Sequence, residues 1–101
     1  MAAVDRIAKL RAGMAAAGVE ALVVTNLTNV RYLTGFSGSA AVLAVGAQGA
    51  TLTTDGRYRT QAADEVERSG ASAAVDLTIG GLEAQVAALV GRIGGAARVG
   101  L

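Results

Sequence analysis

Ala40-Ala41-Val42-Leu43-Ala44-Val45-Gly46-Ala47-Gln48-Gly49-Ala50-Thr51-Leu52-Thr53-Thr54 (residues 40–54) holds two runs that read as strands, Ala40 to Val45 and Ala50 to Thr54, around a short link flanked by glycines. Two runs of strand length joined so briefly pair as a β-hairpin, so this part of any sheet is antiparallel.

Upstream, Ala21-Leu22-Val23-Val24-Thr25 is apolar without alternation, the mark of a strand covered on both faces. Asn26 follows and can cap a short helix over Leu27 to Leu33. Before it, Val4, Ile7, Leu10, Met14 and Ala17 recur at spacings of three and four, which predicts an amphipathic helix ended by Gly18. Asp5 and Lys9 form a favourable pair four residues apart on that helix. Downstream, Asp55 can cap a helix from about Gly56 to Arg68, with Tyr58, Ala62 and Val66 on one face and Ser69-Gly70 ending it. A short strand is read at Ala73 to Leu77. After Gly80-Gly81, a helix carries Leu82, Val86, Leu89, Val90 and Ile93 on one stripe and ends at Gly94-Gly95. A last strand begins at Ala97.

The predicted order is α-β-α-β-β-α-β-α-β. Alternation asks for parallel neighbours and the hairpin for antiparallel ones, so the fold class is α/β: a mixed sheet with helices on both faces. With 101 residues there is room for one domain. The last residues, Val99-Gly100-Leu101, read as the start of a strand rather than a polar tail, so residues 1–101 are expected to be a single domain cut from the N-terminal part of something larger.

Composition removes several kinds of chemistry. The chain has no His and no Cys, which excludes a Ser-His-Asp or Cys-His nucleophile, imidazole or thiolate zinc ligation, disulfides and thiol redox chemistry. Nine basic against eight acidic residues leave a formal charge of +1, and there is neither a basic stripe nor a ladder of aromatics for nucleic acid. Apolar runs are far shorter than the roughly 20 residues of a membrane helix and no secretory segment is visible, so a cytoplasmic protein is expected. Ala and Gly together make 37 of the 101 residues, so the core is built from small side chains.

The motifs with chemical potential are few. Thr34-Gly35-Phe36-Ser37-Gly38-Ser39 is a glycine-rich loop. As a phosphate cradle it lacks both the G-x-G-x-x-G spacing and the Gly-Lys-Ser/Thr of a P-loop. Phe36 either folds into the core or stands out as an anchor for a partner. Arg31-Tyr32 and Arg57-Tyr58 each set a cation beside a ring. Asp55, at a helix start after a strand, can cap the helix or pair with an arginine, in the place where α/β folds tend to put ligands. Asp64, Glu65 and Glu67 crowd one helix and read, with Arg59 and Arg68, as a solvated face. No carboxylate pair for acid–base work follows from spacing.

Residues 25–39, Thr-Asn-Leu-Thr-Asn-Val-Arg-Tyr-Leu-Thr-Gly-Phe-Ser-Gly-Ser, followed by Leu-Thr-Thr-Asp-Gly-Arg-Tyr-Arg-Thr-Gln-Ala at 52–62, closely resemble the creatinase/prolidase N-terminal domain. The Arg6-x-x-x-Leu10 opening, Met14 and Gly18 to Thr25 extend the likeness over essentially the whole chain. The resemblance implies a three-layer, ribonuclease H-like mixed sheet, and a parent that is an Xaa-Pro dipeptidase or aminopeptidase. In that family two divalent metals (manganese, cobalt or zinc) hold a bridging hydroxide that attacks the scissile carbonyl. Their carboxylate and histidine ligands lie in a C-terminal pita-bread domain. No metal and no catalytic residue is therefore expected on this chain.

What the resemblance implies here is a non-catalytic domain for subunit association and closure of the active-site mouth. Its partners would be its own C-terminal catalytic domain, a second subunit in a homodimer and, for the parent, a proline-containing peptide. Gly35, Phe36, Ser37, Gly38 and Ser39 would approach the substrate, supported by Asn29, Arg31 and Tyr32, with Asp55, Arg57 and Tyr58 nearby. The alternative reading is a stand-alone α/β module that binds a small anion or nucleotide, or that dimerises.

Overall fold

The computed structural model describes residues 3–46, 49–80 and 99–100. In chain order these form α1 (Ala3–Ala17), β1 (Ala21–Val24), α2 (Leu27–Thr34), β2 (Val42–Gly46), β3 (Ala50–Thr54), a 3-10 turn (Gly56–Tyr58), α3 (Arg59–Arg68), a second 3-10 turn (Ala71–Ala73), β4 (Val75–Ile79) and β5 (Val99–Gly100). The expected helix over Leu82–Ile93, its Gly94-Gly95 stop and the start of the last strand at Ala97 lie outside the described residues.

The strands form one mixed sheet in the order β4-β3-β2-β1-β5. β2 and β3 are the antiparallel hairpin, with Val42 opposite Thr53 and Val45 opposite Ala50, and the Gly46 N–H donates to the Gly49 carbonyl at 2.8 Å. β1 is antiparallel to β2, whereas β3–β4 and β1–β5 are parallel. The two kinds of neighbour that the alternation and the hairpin separately demanded are thus both present.

Register sorts the sheet into two faces. Val24, Leu43, Leu52 and Leu77 are successive partners, as are Leu22, Val45, Ala50 and Val75, and cross-strand partners share a face. This face meets Ala3, Ile7 and Met14 of α1, Val30 and Leu33 of α2, and Ala62 and Val66 of α3 in one core. Each large aliphatic side chain buried there contributes about 1.5–3 kcal/mol. The other face carries Ala21, Val23, Ala44, Thr51 and Thr53, also buried, so β1 is covered on both sides as its unalternating sequence required.

Element edges shift slightly from the sequence reading. β2 begins at Val42 rather than Ala40, and β4 spans Val75–Ile79 rather than 73–77. The helix after Asp55 opens as a 3-10 turn before α3. Ala17, read as part of the buried stripe of α1, is exposed, and Ala3 is buried in its place on the same helix. Among the described residues Asp5 and Lys9 make no ion pair.

Candidate functional site: a braced loop after the second helix

α2 is short, and both its ends are fixed by side chains and backbone of its own sequence. The Asn26 carboxamide oxygen accepts from the N–H groups of Thr28 at 2.9 Å and Asn29 at 3.2 Å, the capping its sequence promised. At the far end the Gly35 N–H donates to the Arg31 carbonyl at 2.8 Å, with Gly35 at φ +82°. A Cβ there would also stand 2.6 Å from Ser69 Cβ. Both backbone handedness and space therefore require glycine.

The loop from Gly35 to Ser39 is held at every residue the sequence made conspicuous. Buried Thr34 donates its hydroxyl to the Val30 carbonyl at 2.8 Å and accepts the Phe36 N–H at 3.1 Å. Phe36 turns inward and is 1% exposed, packing edge-on to Tyr58 with ring centroids 5.4 Å apart. Of the two readings of Phe36, the core is the one realised, so it offers no exposed anchor. Gly38 lies against that ring, and a Cβ on it would collide with Phe36 Cζ. Ser39 hydrogen-bonds the Tyr58 hydroxyl through its own hydroxyl and its N–H, which holds the phenol below its usual range.

Ser37 is exposed yet firmly tied. Its N–H donates to one Glu65 carboxylate oxygen at 3.0 Å and its hydroxyl to the other at 2.8 Å. The Gln61 amide donates to the Ser37 hydroxyl at 3.2 Å and to Glu65 at 3.0 Å. Burial pushes the Glu65 carboxyl up, but these hydrogen bonds and the charge of Arg31 outweigh it and leave it below the ordinary value. Glu65 is therefore not part of a solvated acidic face, as read from the sequence; one turn of α3 turns it to the loop while Asp64 stays outside and pairs with Arg68. It also bears on the anion-cradle reading. The loop N–H of Ser37 already serves a carboxylate from the same chain, and that negative charge opposes a phosphate in the same place.

Asp55 does both things its position allowed. It caps the 3-10 turn by accepting the Arg57 N–H at 3.0 Å, and it pairs with the Arg57 guanidinium at 3.0 and 2.8 Å. The side-chain hydrogen bond with Arg57 holds its carboxyl below the usual range. Arg57, largely exposed, lies 5.2 Å over the Tyr58 ring. Asp55, Arg57 and Tyr58 thus join the loop through Phe36 and Ser39. Asn29 and Tyr32 do not: they line a separate cavity beside β1, where Arg6 lies 4.4 Å over the Tyr32 ring. Arg31 is exposed, and its charge reaches Glu65.

Sequence reasoning missed Glu65, Gln61 and Ser69. The Ser69 hydroxyl donates to the Thr34 carbonyl at 2.7 Å and to that of Val66 at 2.9 Å, and accepts the Ala71 N–H, so the end of α3 is locked to the end of α2. The available signal was periodic: Gln61, Glu65 and Ser69 recur every four residues on one face of a helix otherwise rich in charge.

Over residues 6–101 the chain matches the family profile of the Creatinase/Prolidase N-terminal domain. The chain belongs to this family. It is 39% identical over 62 residues, 61% of its length, to an uncharacterized peptidase, YqhT of Bacillus subtilis (strain 168), of which that stretch covers 18%. It superposes on the N-terminal domain of the cytoplasmic peptidase PepQ from Mycobacterium tuberculosis H37Rv with TM-score 0.74 and 41% identity, covering 94% of this chain and 70% of that one. A Caenorhabditis elegans X-prolyl aminopeptidase, described as a cytosolic enzyme with a di-nuclear active site, gives TM-score 0.67 and 29% identity, covering 80% of this chain and 16% of that one. The chain thus spans about a fifth of the curated relative it matches. The creatinase/prolidase reading of its fold, a mixed sheet flanked by helices, holds.

The described residues do not fit a di-nuclear metal centre. Among them no three His, Cys, Asp or Glu residues stand together as metal ligands, and the whole chain lacks the imidazoles and thiolates such sites often use. Nor, among the described residues, is any helix long and apolar enough to cross a membrane.

Proposed function

We propose that this chain is the non-catalytic N-terminal domain of a longer cytoplasmic Xaa-Pro metallo-exopeptidase, dipeptidase or aminopeptidase, in which it contributes to subunit association and to closing the active-site mouth. Hydrolysis of the bond before proline would belong to two divalent metals held by the parent's C-terminal domain. The observation that carries the reading is the loop from Gly35 to Ser39. Its exposed serines are held in one conformation from beneath by Phe36 and from the side by Glu65 and Tyr58. A rigid polar edge suits a surface that positions a substrate and excludes water around a reaction centre supplied from elsewhere. Asp55, Arg57 and Tyr58 brace that edge, and Arg31 sets the charge beside Glu65.

The test is Glu65→Gln in the longer polypeptide. The substitution keeps the shape but removes the charge that fixes Ser37. A raised KM for an Xaa-Pro peptide with the metal content unchanged is expected. Unchanged KM and kcat would contradict the role given to the loop. Association is tested separately: sedimentation of the longer polypeptide should give a homodimer.

A further inference from the structure

Of the four aspartates in the chain, Asp5, Asp55, Asp64 and Asp76, only Asp55 is followed by glycine. The backbone nitrogen of the next residue can attack an aspartate carboxyl, and glycine, with no side chain to crowd that nitrogen, permits the approach best. The fold itself makes no demand for glycine at 56. A Cβ there would meet nothing within 4 Å among the described residues, and the backbone takes no positive φ. In this Gly56 differs from Gly35 and Gly38.

The Asp55–Gly56 bond lies in the open: Gly56 and Arg57 are exposed and Asp55 is half-buried. What holds the Asp55 carboxylate away from Gly56 is the next residue along. Its Oδ1 accepts from the Arg57 N–H at 3.0 Å and from Nε at 3.0 Å, and its Oδ2 accepts from Nη2 at 2.8 Å. These bonds favour the ionised carboxylate, which is a poor target for a nitrogen lone pair. The backbone acts in the same direction. With ψ of Asp55 at 173°, the Gly56 nitrogen lies opposite the Asp55 nitrogen and staggered from Cβ, whereas ring closure needs nitrogen and Cβ nearly eclipsed.

We propose that the Asp55–Gly56 bond is a site of spontaneous covalent modification, isomerisation of Asp55 to isoaspartate, and that the Arg57 clamp sets its rate. Exposed ion pairs are held weakly, so the clamp opens. Once ψ has rotated, the Gly56 nitrogen bonds to Cγ of the protonated carboxyl. The carboxyl hydroxyl leaves as water with the Gly56 amide proton, and a five-membered succinimide remains. Water then opens the ring. Breaking the bond from nitrogen to Cγ restores aspartate. Breaking the bond from nitrogen to the main-chain carbonyl carbon leaves Gly56 joined through Cγ, with the carboxylate on Cα. One water leaves and one returns, and nothing is oxidised or reduced. The main chain gains a methylene between β3 and the 3-10 turn, which shifts Tyr58 from its contacts with Ser39 and Phe36.

The test is to hold the 101-residue chain for weeks at physiological temperature and neutral pH, then digest it and count isoaspartate by peptide mapping and enzymatic methylation. Slow accumulation confined to residue 55 is expected. Arg57→Gln should speed it about two- to fivefold, the weight of an exposed ion pair. Arg57→Lys, which keeps the charge and loses the fork, should fall between. Gly56→Ala, which the fold accommodates, should nearly abolish it. The native sequence in urea should isomerise faster than the folded chain, and this arm reads the clamp even where Arg57→Gln fails to fold. As isoaspartate accumulates, the amide signals of Ser39 and Tyr58 should split in proportion. No isoaspartate at residue 55 in any sample, equal rates with and without Arg57, equal rates folded and in urea, undiminished accumulation in Gly56→Ala, or unsplit Ser39 and Tyr58 signals would overturn the proposal.

Discussion

Ser37 gives both its N–H and its hydroxyl to the two carboxylate oxygens of Glu65, 28 residues further along the chain. A two-point contact of this kind fixes a loop in orientation as well as position, because one donor alone would leave a pivot. The charged acceptor makes both bonds stronger than neutral ones. Glu65→Gln should lower stability by about 1 kcal/mol, read by urea denaturation. Glu65→Ala should cost more and should broaden the amide signals of residues 37–39.

The same contact gives a pH dependence with a definite sign. The Glu65 carboxyl titrates lower in the folded chain than its ordinary value of 4.5. Its contribution is therefore fully present above that ordinary value and is lost as pH falls through the lower, folded one. Measured as a melting temperature, the difference between the native chain and Glu65→Gln should be constant at neutral pH and should shrink in acid, below the ordinary glutamate range.

Phe36 supports the loop from below. Fully buried against Tyr58 and the core, it should cost about 3–5 kcal/mol when replaced by Ala. Denaturation of Phe36→Ala and Phe36→Leu should rank them in that order of damage.

Gly35 and Gly38 are required for different reasons, and their substitutions should differ. Gly35→Ala meets both a left-handed backbone and the Ser69 side chain, so it should lose at least about 1–2 kcal/mol. Gly38→Ala meets the Phe36 ring and should lose about 1–3 kcal/mol through overpacking. Combining Gly38→Ala with Phe36→Leu should recover part of that loss, since the residues touch. A double-mutant cycle measures it.

The fold was largely legible in the sequence, because its signals are local. A glycine-flanked link between two strand-like runs has few outcomes other than the β2–β3 hairpin, and Asn26 at the start of a short helix reads as a cap. The site was legible in part. Its loop glycines and Asp55 stand out because their backbone duties mark them. Phe36 stayed open between core and surface, since burial depends on what a side chain meets and not on its neighbours in sequence. Glu65 was misread for the same reason. Nothing local separates it from Asp64 and Glu67; only the packing of α3 against the end of α2 turns it, and not them, towards Ser37.

The central claim is that the chain shapes an active site without performing its chemistry. Hydrolysis of an Xaa-Pro peptide with added Mn²⁺ should be assayed side by side for the 101-residue chain and for the longer polypeptide. No turnover by the chain and metal-dependent turnover by the longer polypeptide is the predicted result. Hydrolysis by the chain alone, or none by the longer polypeptide, would contradict it.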